Sequence, residues 1–453
     1  MSFSSAHGPG FDRSGKVESI KTSKAESKEK KAWLNLPRRD NIFLSAAVEE
    51  TILKRIALLK NPVQEYAWGS RTFIPELLGE PSPSASPKAE LWMGAHPKGI
   101  SKVHWDGTWI SLPDLIQKDP ENILGQEVAK GFSNRLPFLL KILAAATPLS
   151  IQAHPNLPQA RQGFAKENRL QIPLDAPARN YRDENHKPEI LCALTPFFAL
   201  KGFRRADETL ALFGKARLPS LDTQIRLLRK DKTARGLAGF FSALLALETG
   251  DRKRAISELV MVSENLASSD PVFRWVIRLH QCFSDDMGIF APLLLNLIHL
   301  EPGEALYIDS GELHSYLEGA GVELMANSDN VIRAGLTAKH KDLPELLRIL
   351  RFKESPGKII KPQARNQAEW VYPTPAKEFL LSRVSLQKGA PHHERGRKSL
   401  EMMICTQGNA EITDVATTEV LPVSQGSSFL VPAMVKEIAM EGNATFYKAT
   451  VPP

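Results

Sequence analysis

The sequence predicts a mainly β protein with an inserted α domain. Short β-prone runs separated by turn signals extend from Asn61 to Lys201. From Arg204 to Leu300, leucine and alanine recur at three- and four-residue spacing, which is the period of a helix. Beyond residue 300 the β pattern returns. A β unit interrupted in this way would bring together residues that lie far apart in the sequence.

The first part of the chain differs in composition from the rest. Serine, glycine and a Lys/Glu-rich run leave little apolar surface to bury, so residues 1–55 are expected to form a poorly ordered basic leader. Up to Lys60 there are 12 Lys and Arg against 7 Asp and Glu, which accounts for most of the net charge of +7. An Ala/Val/Ile/Leu pattern from Ser45 to Leu59 predicts one amphipathic helix that leads into the folded part.

Between residues 61 and 201 the predicted strands are short and the turns are clearly marked. Trp68-Gly69-Ser70 and His96-Pro97-Lys98-Gly99 combine small and rigid residues as turns require. The segment Leu136–Leu143 is apolar except for Lys141. It predicts a buried strand that carries a single charged side chain.

Helical periodicity is clearest in the segments Gly236–Leu247 and Ile256–Leu266. Both are rich in leucine and alanine, and both lie in the block predicted to be helical. We expect their apolar faces to form the core of a helical domain rather than a surface for a partner.

The β character that follows is punctuated by turns. Glu301-Pro302-Gly303-Glu304 predicts a turn that leads into a strand ending at Ile308. Leu343–Leu350 predicts a further helix. From about residue 362 onwards short strands and glycine turns are expected again, one of them at Gln407-Gly408-Asn409-Ala410.

A chain of 453 residues exceeds what a single core normally holds, so two to four domains are expected. The changes in pattern predict the following division: a leader at 1–55, a β domain at 56–203 and 301–355, a helical insertion at 204–300, and a C-terminal β domain at 356–453.

Composition excludes several classes of protein. No apolar run reaches the roughly 20 residues that span a bilayer, and we expect neither a membrane partner nor a secretory signal. The three cysteines, Cys192, Cys282 and Cys405, are far apart and odd in number, which favours a reducing cytoplasm over a disulfide framework. Beyond the leader the charges are nearly balanced and form no basic stripe, so no nucleic-acid partner is expected.

The most informative motif is Ser150-Ile151-Gln152-Ala153-His154-Pro155. In a strand, alternate side chains share a face, so Gln152 and His154 would point the same way about 7 Å apart along the backbone. Glu189 follows an extended Lys-Pro pair, and His314 follows a glycine-containing turn. Two imidazoles, one carboxylate and one amide oxygen suit zinc or another first-row divalent ion.

Other histidines compete for this role. On chemistry alone His96, His186 and His340 remain alternatives. The pair His392-His393 is interpreted as part of an exposed loop and is given little weight as a metal site.

Several long blocks resemble type I mannose-6-phosphate isomerases, in particular the bacterial branch, and they occur in the family's order from about residue 61 to residue 350. The blocks are Asn61-Pro62-Val63-Gln64-Glu65-Tyr66-Ala67-Trp68-Gly69-Ser70, Ala89-Glu90-Leu91-Trp92-Met93-Gly94-Ala95-His96-Pro97, Pro148-Leu149-Ser150-Ile151-Gln152-Ala153-His154-Pro155, Asn185-His186-Lys187-Pro188-Glu189 and Asn327-Ser328-Asp329-Asn330-Val331-Ile332-Arg333-Ala334-Gly335-Leu336-Thr337.

The resemblance implies a fold and a site. The fold would be a zinc-binding cupin, a β-barrel or jelly roll, with a helical insertion and a C-terminal cupin-like β domain. Carried over by position, the zinc ligands would be Gln152, His154, Glu189 and His314, and the catalytic arginine would be Arg333. The matching pocket positions, together with Tyr316 as a further substrate-binding candidate, are Lys141, Ser150, Lys187, Glu323 and Asp329.

The sequence departs from the family's pattern at a few positions. Leu313 and Ser315 flank His314 where the family often has proline and alanine, and Leu157 stands where a lysine is common. None of these changes removes a ligand. The leader has no counterpart, and the C-terminal domain matches only loosely.

The implied reaction is the reversible isomerisation of D-mannose 6-phosphate and D-fructose 6-phosphate through a cis-enediol(ate), with one zinc ion per chain acting as a Lewis acid. The proton must pass through a base, for which Glu323 and Lys187 are both candidates. Arg333 would bind the phosphate or stabilise the enediolate, and Lys141 and Ser150 are further phosphate candidates.

Each pocket residue also has a purely structural alternative. Arg333 could be an ion-pair partner of Asp329 or Glu323. Lys141 could mark a strand edge, and Tyr316 could belong to the core.

Three function classes follow from these residues. The first is a zinc-dependent, monomeric, cytoplasmic isomerase that serves mannose and GDP-mannose metabolism. The second is a cupin oxygenase, which the amide ligand and the basic pocket residues disfavour. The third is a non-catalytic sugar-phosphate-binding cupin, which loss of a ligand or of Arg333 would have favoured; all are present.

Overall fold

Antiparallel strands carry most of the regular structure in this computed structural model, which describes residues 55–452. They form an 11-stranded and a 12-stranded sheet, with helices attached. The prediction of a mainly β protein with helices is therefore confirmed at this level. The predicted leader, apart from its last residue Arg55, lies outside the described residues.

The first half of the described chain alternates strands with short helices. Its elements are β1 (Ala57–Lys60), β2 (Val63–Gln64), α1 (Phe73–Leu77), β3 (Glu90–His96), β4 (Gly99–Ile100), β5 (Lys102–Trp105), β6 (Thr108–Ser111), α2 (Leu112–Lys118), α3 (Pro120–Leu124), α4 (Gln126–Gly131), β7 (Phe138–Ala145), β8 (Ile151–Ala153), α5 (Leu157–Arg169), β9 (Glu189–Ala193) and β10 (Phe197–Phe203). All eight residues of β7 are buried, as its apolar sequence predicts.

A helical segment follows β10. It consists of α6 (Ala206–Ala216), α7 (Asp222–Lys230), α8 (Ala234–Leu245), α9 (Thr249–Leu266), α10 (Pro271–Cys282) and α11 (Ala291–Leu294), with 3₁₀ turns at Pro219–Leu221 and Met287–Phe290. Buried phenylalanines of this segment share one apolar cluster with Leu313 and Leu317. The helices therefore pack against the strand that begins at His314.

The remaining elements are again mostly strands. They are β11 (Leu295–Leu300), β12 (Ala305–Ile308), β13 (His314–Ala326), β14 (Ile332–Gly335), α12 (Leu343–Ile349), β15 (Ile359–Ile360), β16 (Gln363–Ala364), β17 (Glu369–Tyr372), β18 (Leu380–Leu386), β19 (His392–Arg395), β20 (Glu401–Asp414), β21 (Glu419–Ser424), β22 (Ser428–Val431) and β23 (Glu437–Thr450).

The long strand β13 changes partners along its length. Its first residues pair with β8 and β10, whereas Gly319–Ala326 pair with β7. The change occurs at Gly319, whose φ is 123°. A Cβ there would lie 2.7 Å from the carbonyl oxygen of Pro196. Glycine therefore permits the strand to join two parts of the sheet around the pocket.

Two local predictions are wrong. The described end of the predicted Ser45–Leu59 helix forms strand β1, because Ala57 and Leu58 pair with β22 while Leu59 and Lys60 pair with β5. The predicted turn at Gln407–Ala410 lies inside strand β20, where all four residues pair with β23 after a shift of register between Cys405 and Gln407. Tertiary pairing overrides the local signal in both places.

Among the described helices, none is both long and apolar enough to span a bilayer.

Candidate metal centre and substrate pocket

Three strands place the predicted residues side by side. Gln152 lies at the middle of the short strand β8, between β13 and β14. In register it is opposite His314 on one side and Arg333 on the other. Residues directly opposite each other in antiparallel strands point to the same face. The three side chains thus belong to one surface, although 181 positions separate Gln152 from Arg333 in the sequence.

Two histidines and one carboxylate converge next to this surface. His154 Nε2 lies 3.5 Å from Glu189 Oε1, and His314 Nε2 lies 3.4 Å from Glu189 Oε2. The candidate ligand atoms of these three buried residues all lie within 4.8 Å of one another. Gln152 Nε2 lies 3.4 Å from His314 Nε2, so its amide borders the same point. The structure brings together all four predicted ligands.

Main-chain carbonyls orient both imidazoles. His154 Nδ1 lies 2.7 Å from the carbonyl oxygen of Asn330, and His314 Nδ1 lies 3.0 Å from that of Glu312. A carbonyl only accepts, so each Nδ1 carries the proton and each Nε2 offers its lone pair to the point of convergence. This is the usual arrangement of histidines that bind a metal.

Burial and the local charges keep His154 and Glu189 in the forms that a metal requires. Burial lowers the pKa of His154 to about 4, so this imidazole is neutral at neutral pH. Burial alone would raise the pKa of Glu189, but Lys187 and the two histidines lower it well below its usual value. Lys187 Nζ lies 3.1 Å from Glu189 Oε1. A neutral imidazole beside an ionised carboxylate is ready to coordinate a cation.

Buried polar atoms that lack a hydrogen-bond partner indicate whether a metal would fit at this point. Among the described residues, His154 Nε2 and Glu189 Oε2 are buried and make no hydrogen bond. Such groups are costly to bury unless a ligand satisfies them. The donor set of imidazole nitrogens, a carboxylate and an amide fits zinc.

A second charged group lies beside the ligands. Lys141 Nζ donates to Glu323 Oε2 at 2.8 Å, and its second carboxylate neighbour is Glu90, whose Oε1 is 3.8 Å away. Trp92 Nε1 donates to Glu90 Oε2 at 2.6 Å. All four residues are at most 6% exposed. Lys141 is thus a buried ion-pair centre rather than a lysine at a strand edge.

Glu90 was missed by the sequence reasoning. It lies in the family-like block that contains Ala89-Glu90-Leu91-Trp92, but nothing in the sequence indicated which residue its carboxylate contacts. The available signal was its alternation with Trp92 in a predicted strand, which places the two side chains on one face.

Tyr316 combines packing with a polar end. Its ring contacts Phe197 edge to face, with ring centroids 5.5 Å apart. Its hydroxyl is buried and makes no hydrogen bond to a described residue. Burial and then the nearby carboxylates of Glu323 and Glu189 raise the pKa of Tyr316 well above its usual value. The hydroxyl therefore lies close to the carboxylates of the pocket as a neutral donor.

Asp329 contacts Lys98 and His96 rather than Arg333. Its Oδ2 lies 2.8 Å from Lys98 Nζ, and its Oδ1 lies 3.5 Å from His96 Nε2. Glu323 is likewise engaged by Lys141. Asp329 and Glu323 therefore do not form the ion pairs with Arg333 that the structural alternative required.

Arg333 lies in a region of positive charge. Burial, followed by repulsion from Arg182, lowers its pKa. Lys339 responds in the same way, because burial and the charges of Arg333, Arg182 and Lys98 lower its pKa. Such a group of cations favours an anion. Ser150 lies beside Gln152, with its Oγ 3.5 Å from Gln152 Oε1.

The competing histidines lie elsewhere. His186 Nε2 is 2.7 Å from Glu378 Oε1, and His96 faces Asp329. The prediction of an exposed loop at His392 is wrong, because His392 is buried on β19. Its candidate ligand atom and those of Glu369 and Glu394 lie within 4.8 Å of one another.

This second group already contains a cation of the chain. Lys448 Nζ lies 2.9 Å from Glu369 Oε1 and 2.8 Å from Glu394 Oε2. It also lies 3.6 Å from Glu401 Oε1. The ammonium group fills the position between the carboxylates that a metal ion would take.

Comparisons with known proteins agree with this geometry. The family model described as phosphomannose isomerase type I, catalytic domain, matches residues 56–206. The mannose-6-phosphate isomerase of Escherichia coli is 39% identical over 387 residues, which cover 85% of this chain and 97% of that protein. The human mannose-6-phosphate isomerase is 32% identical over 410 residues, covering 84% of this chain and 94% of that protein.

Solved structures show the same fold. The mannose 6-phosphate isomerase of Salmonella typhimurium bound to its substrate, fructose 6-phosphate, and zinc matches with a TM-score of 0.82 and 36% identity, covering 88% of this chain and 100% of that chain. A zinc-bound mannose 6-phosphate isomerase matches with a TM-score of 0.81 and 36% identity over the same shares.

Proposed function

The chain belongs to the type I mannose-6-phosphate isomerase family, and from this membership we infer that it interconverts D-mannose 6-phosphate and D-fructose 6-phosphate with the help of zinc. The observation that carries this conclusion is the convergence of His154, Glu189 and His314, with two buried ligand atoms left unsatisfied. The reaction transfers a proton between C1 and C2 through a cis-enediol(ate) and would serve mannose and GDP-mannose metabolism.

The finer description of the fold is part of the same proposal. The sheet that carries the ligands would be a cupin barrel of residues 56–203 and 295–355, with 204–294 as its helical insertion. Residues 295–300, which were expected in the insertion, instead form β11 and pair with β10. Residues 356–453 would form a C-terminal cupin-like domain.

The metal would be held by His154, Glu189 and His314, with Gln152 completing the set. Bound there, zinc supplies a Lewis acid that polarises the substrate carbonyl and stabilises the negative charge of the enediolate.

We assign the proton transfer to Glu323. Burial, and then the negative charges of Glu189 and Glu90, raise its pKa against the opposing effect of Lys141. A general base works best with a pKa near the working pH. The alternative base, Lys187, contacts the ligand Glu189, and we propose that it instead faces the oxyanion that forms at C1 or C2.

The phosphate would bind at the positive end of the pocket. Arg333 lies beside Gln152 and offers the paired donors that suit phosphate oxygens. Lys339 and Arg182 add positive charge there. Lys141, with two carboxylates around it, contributes to the base rather than to phosphate binding. Ser150, Tyr316 and the Asp329–Lys98 pair would complete the walls of the pocket.

A coupled assay of the full chain with mannose 6-phosphate tests the function. We expect turnover that disappears after chelation and returns when zinc is added back. Folded, zinc-loaded protein that binds mannose 6-phosphate without converting it would instead identify a sugar-phosphate-binding cupin. The monomeric state and the cytoplasmic location stay predictions.

A further inference from the structure

We propose that Glu90 is a positioning residue of the isomerase reaction, acting through Lys141 on the carboxylate of Glu323. This inference deepens the proposed function and rests on it, because it assumes that Glu323 transfers the proton. Glu90 itself reaches neither the metal ligands nor, on this proposal, the reacting carbons.

Three neighbouring strands create the arrangement. Lys141 on β7 is directly opposite Glu323 on β13 and Trp92 on β3. Glu90 is two residues before Trp92, so its side chain lies on the same face and diagonal to Lys141. One ammonium group is therefore flanked by two carboxylates that come from opposite sides of the central strand.

The carboxylate of Glu90 is fixed in place. Its Oε2 accepts the hydrogen bond of Trp92 Nε1, which leaves Oε1 facing Lys141 at 3.8 Å. The indole also lies beneath the ammonium group, with Lys141 Nζ 5.3 Å from the ring centroid. Glu90 and Trp92 together confine Lys141 Nζ to one position, and that position presents it to Glu323 Oε2 at 2.8 Å.

The charge balance gives Glu90 a chemical effect on the base. With two carboxylates and one ammonium, Lys141 neutralises neither carboxylate completely. Glu323 therefore keeps more affinity for a proton than it would have in an isolated ion pair with Lys141. If Glu90 lost its charge, Lys141 would pair with Glu323 alone, and Glu323 would become a weaker base.

The test compares Glu90→Gln with Glu90→Asp in the zinc-loaded full chain. Glu90→Gln keeps the shape but removes the charge, whereas Glu90→Asp keeps the charge. For Glu90→Gln we expect kcat to fall at least about tenfold while KM changes less than about twofold. The acid limb of the kcat–pH profile should move down by about half a unit or more, because the base loses a neighbouring negative charge. Glu90→Asp should keep the acid limb of the unmodified chain.

The contrary results are distinct. An unchanged kcat and acid limb in Glu90→Gln would overturn the inference, as would a lower kcat that Glu90→Asp shares to the same degree. Should Glu90→Gln fail to fold, Trp92→Phe supplies the test, since it removes the donor to Glu90 and should lower kcat in the same direction. Glu323→Gln distinguishes failure of this inference from failure of the proposed base. Full activity in Glu323→Gln would show that Glu323 does not transfer the proton, and this inference would then fall as well.

Discussion

At the scale of single residues, the metal centre depends on side chains whose orientation is set by the main chain. His154 and His314 each direct Nδ1 to a carbonyl oxygen and Nε2 to Glu189. Such outer contacts are typically worth 10–100-fold in metal affinity. Loss of a ligand itself should lower the metal affinity by a larger factor.

His314→Ala should therefore empty the zinc site and lower turnover by at least about 100-fold. Zinc content after gel filtration and kcat with mannose 6-phosphate measure the two effects. His186→Ala is the matched control, because His186 pairs with Glu378 outside the ligand group. An active, zinc-replete His314→Ala protein would contradict the ligand assignment.

Arg333→Ala should keep its zinc but lose activity by about 100- to 1000-fold, the usual effect of removing one group that stabilises charge in the transition state. Arg395→Ala offers a comparison, because Arg395 is 73% exposed and pairs with Glu437 at the surface. Steady-state kinetics and zinc analysis of both variants make the test. Near-normal kinetics in Arg333→Ala would return this residue to a structural role.

The sequence was most informative about residues within continuous motifs. Gln152 and His154 could be placed on one face by strand alternation alone. Glu90 and the pairing of Asp329 with Lys98 could not be found in this way, because they depend on which strands are neighbours. That information is carried by long-range register rather than by local pattern.

At the scale of elements, the C-terminal strands hold a buried network of charges. Strands β17, β19 and β20 supply Glu369, Glu394 and Glu401, and β23 supplies Lys448. Burial alone would raise the pKa of Glu394, but Lys448 and His392 lower it below its usual value. The lysine thus links four strands through charge.

Lys448→Met should lower the free energy of unfolding at pH 7 by about 3–5 kcal/mol, because Glu369 and Glu394 lose their buried counter-ion, whereas Glu401 keeps Arg397. Glu394 has a lowered pKa in the folded chain, so it stabilises the fold above its unfolded pKa of about 4.3 and this contribution is lost as the pH falls. This contribution is intact at pH 7 and is lost only below about pH 4, so the deficit of the variant should be smaller at about pH 3 than at pH 7.

Denaturant unfolding at both pH values measures this effect, with Lys388→Met as the control, since Lys388 is exposed. A deficit below about 1 kcal/mol, or one that stays constant with pH, would contradict the role given to Lys448.

At the scale of the whole molecule, the site is assembled across a long excursion of the chain. The chain leaves the sheet after Phe203 on β10 and returns at Leu295 on β11, and these two residues are paired. The helical segment thus starts and ends at one place, which allows His314 to reach the strand of Gln152. Leucine periodicity predicted the helices, but only the pairing of β10 with β11 explains why they leave the site intact.

The same scale shows how the ends of the described chain are joined. Strand β1 pairs through Ala57 and Leu58 with β22, and through Leu59 and Lys60 with β5. One four-residue strand therefore connects the C-terminal strands to the first half of the fold.

During synthesis on the ribosome, β1 is made early, but its partner β22 is made late. A nascent chain that stops near residue 355 has β5 available for β1 but lacks β22, so it presents unpaired backbone groups beside exposed Ala57 and Leu58. Such an open edge is a template for association with other chains and a mark for proteolysis. Premature termination between residue 355 and the start of β22 at Ser428 should thus yield a product that the cell removes, although every residue of the zinc site has already been synthesised.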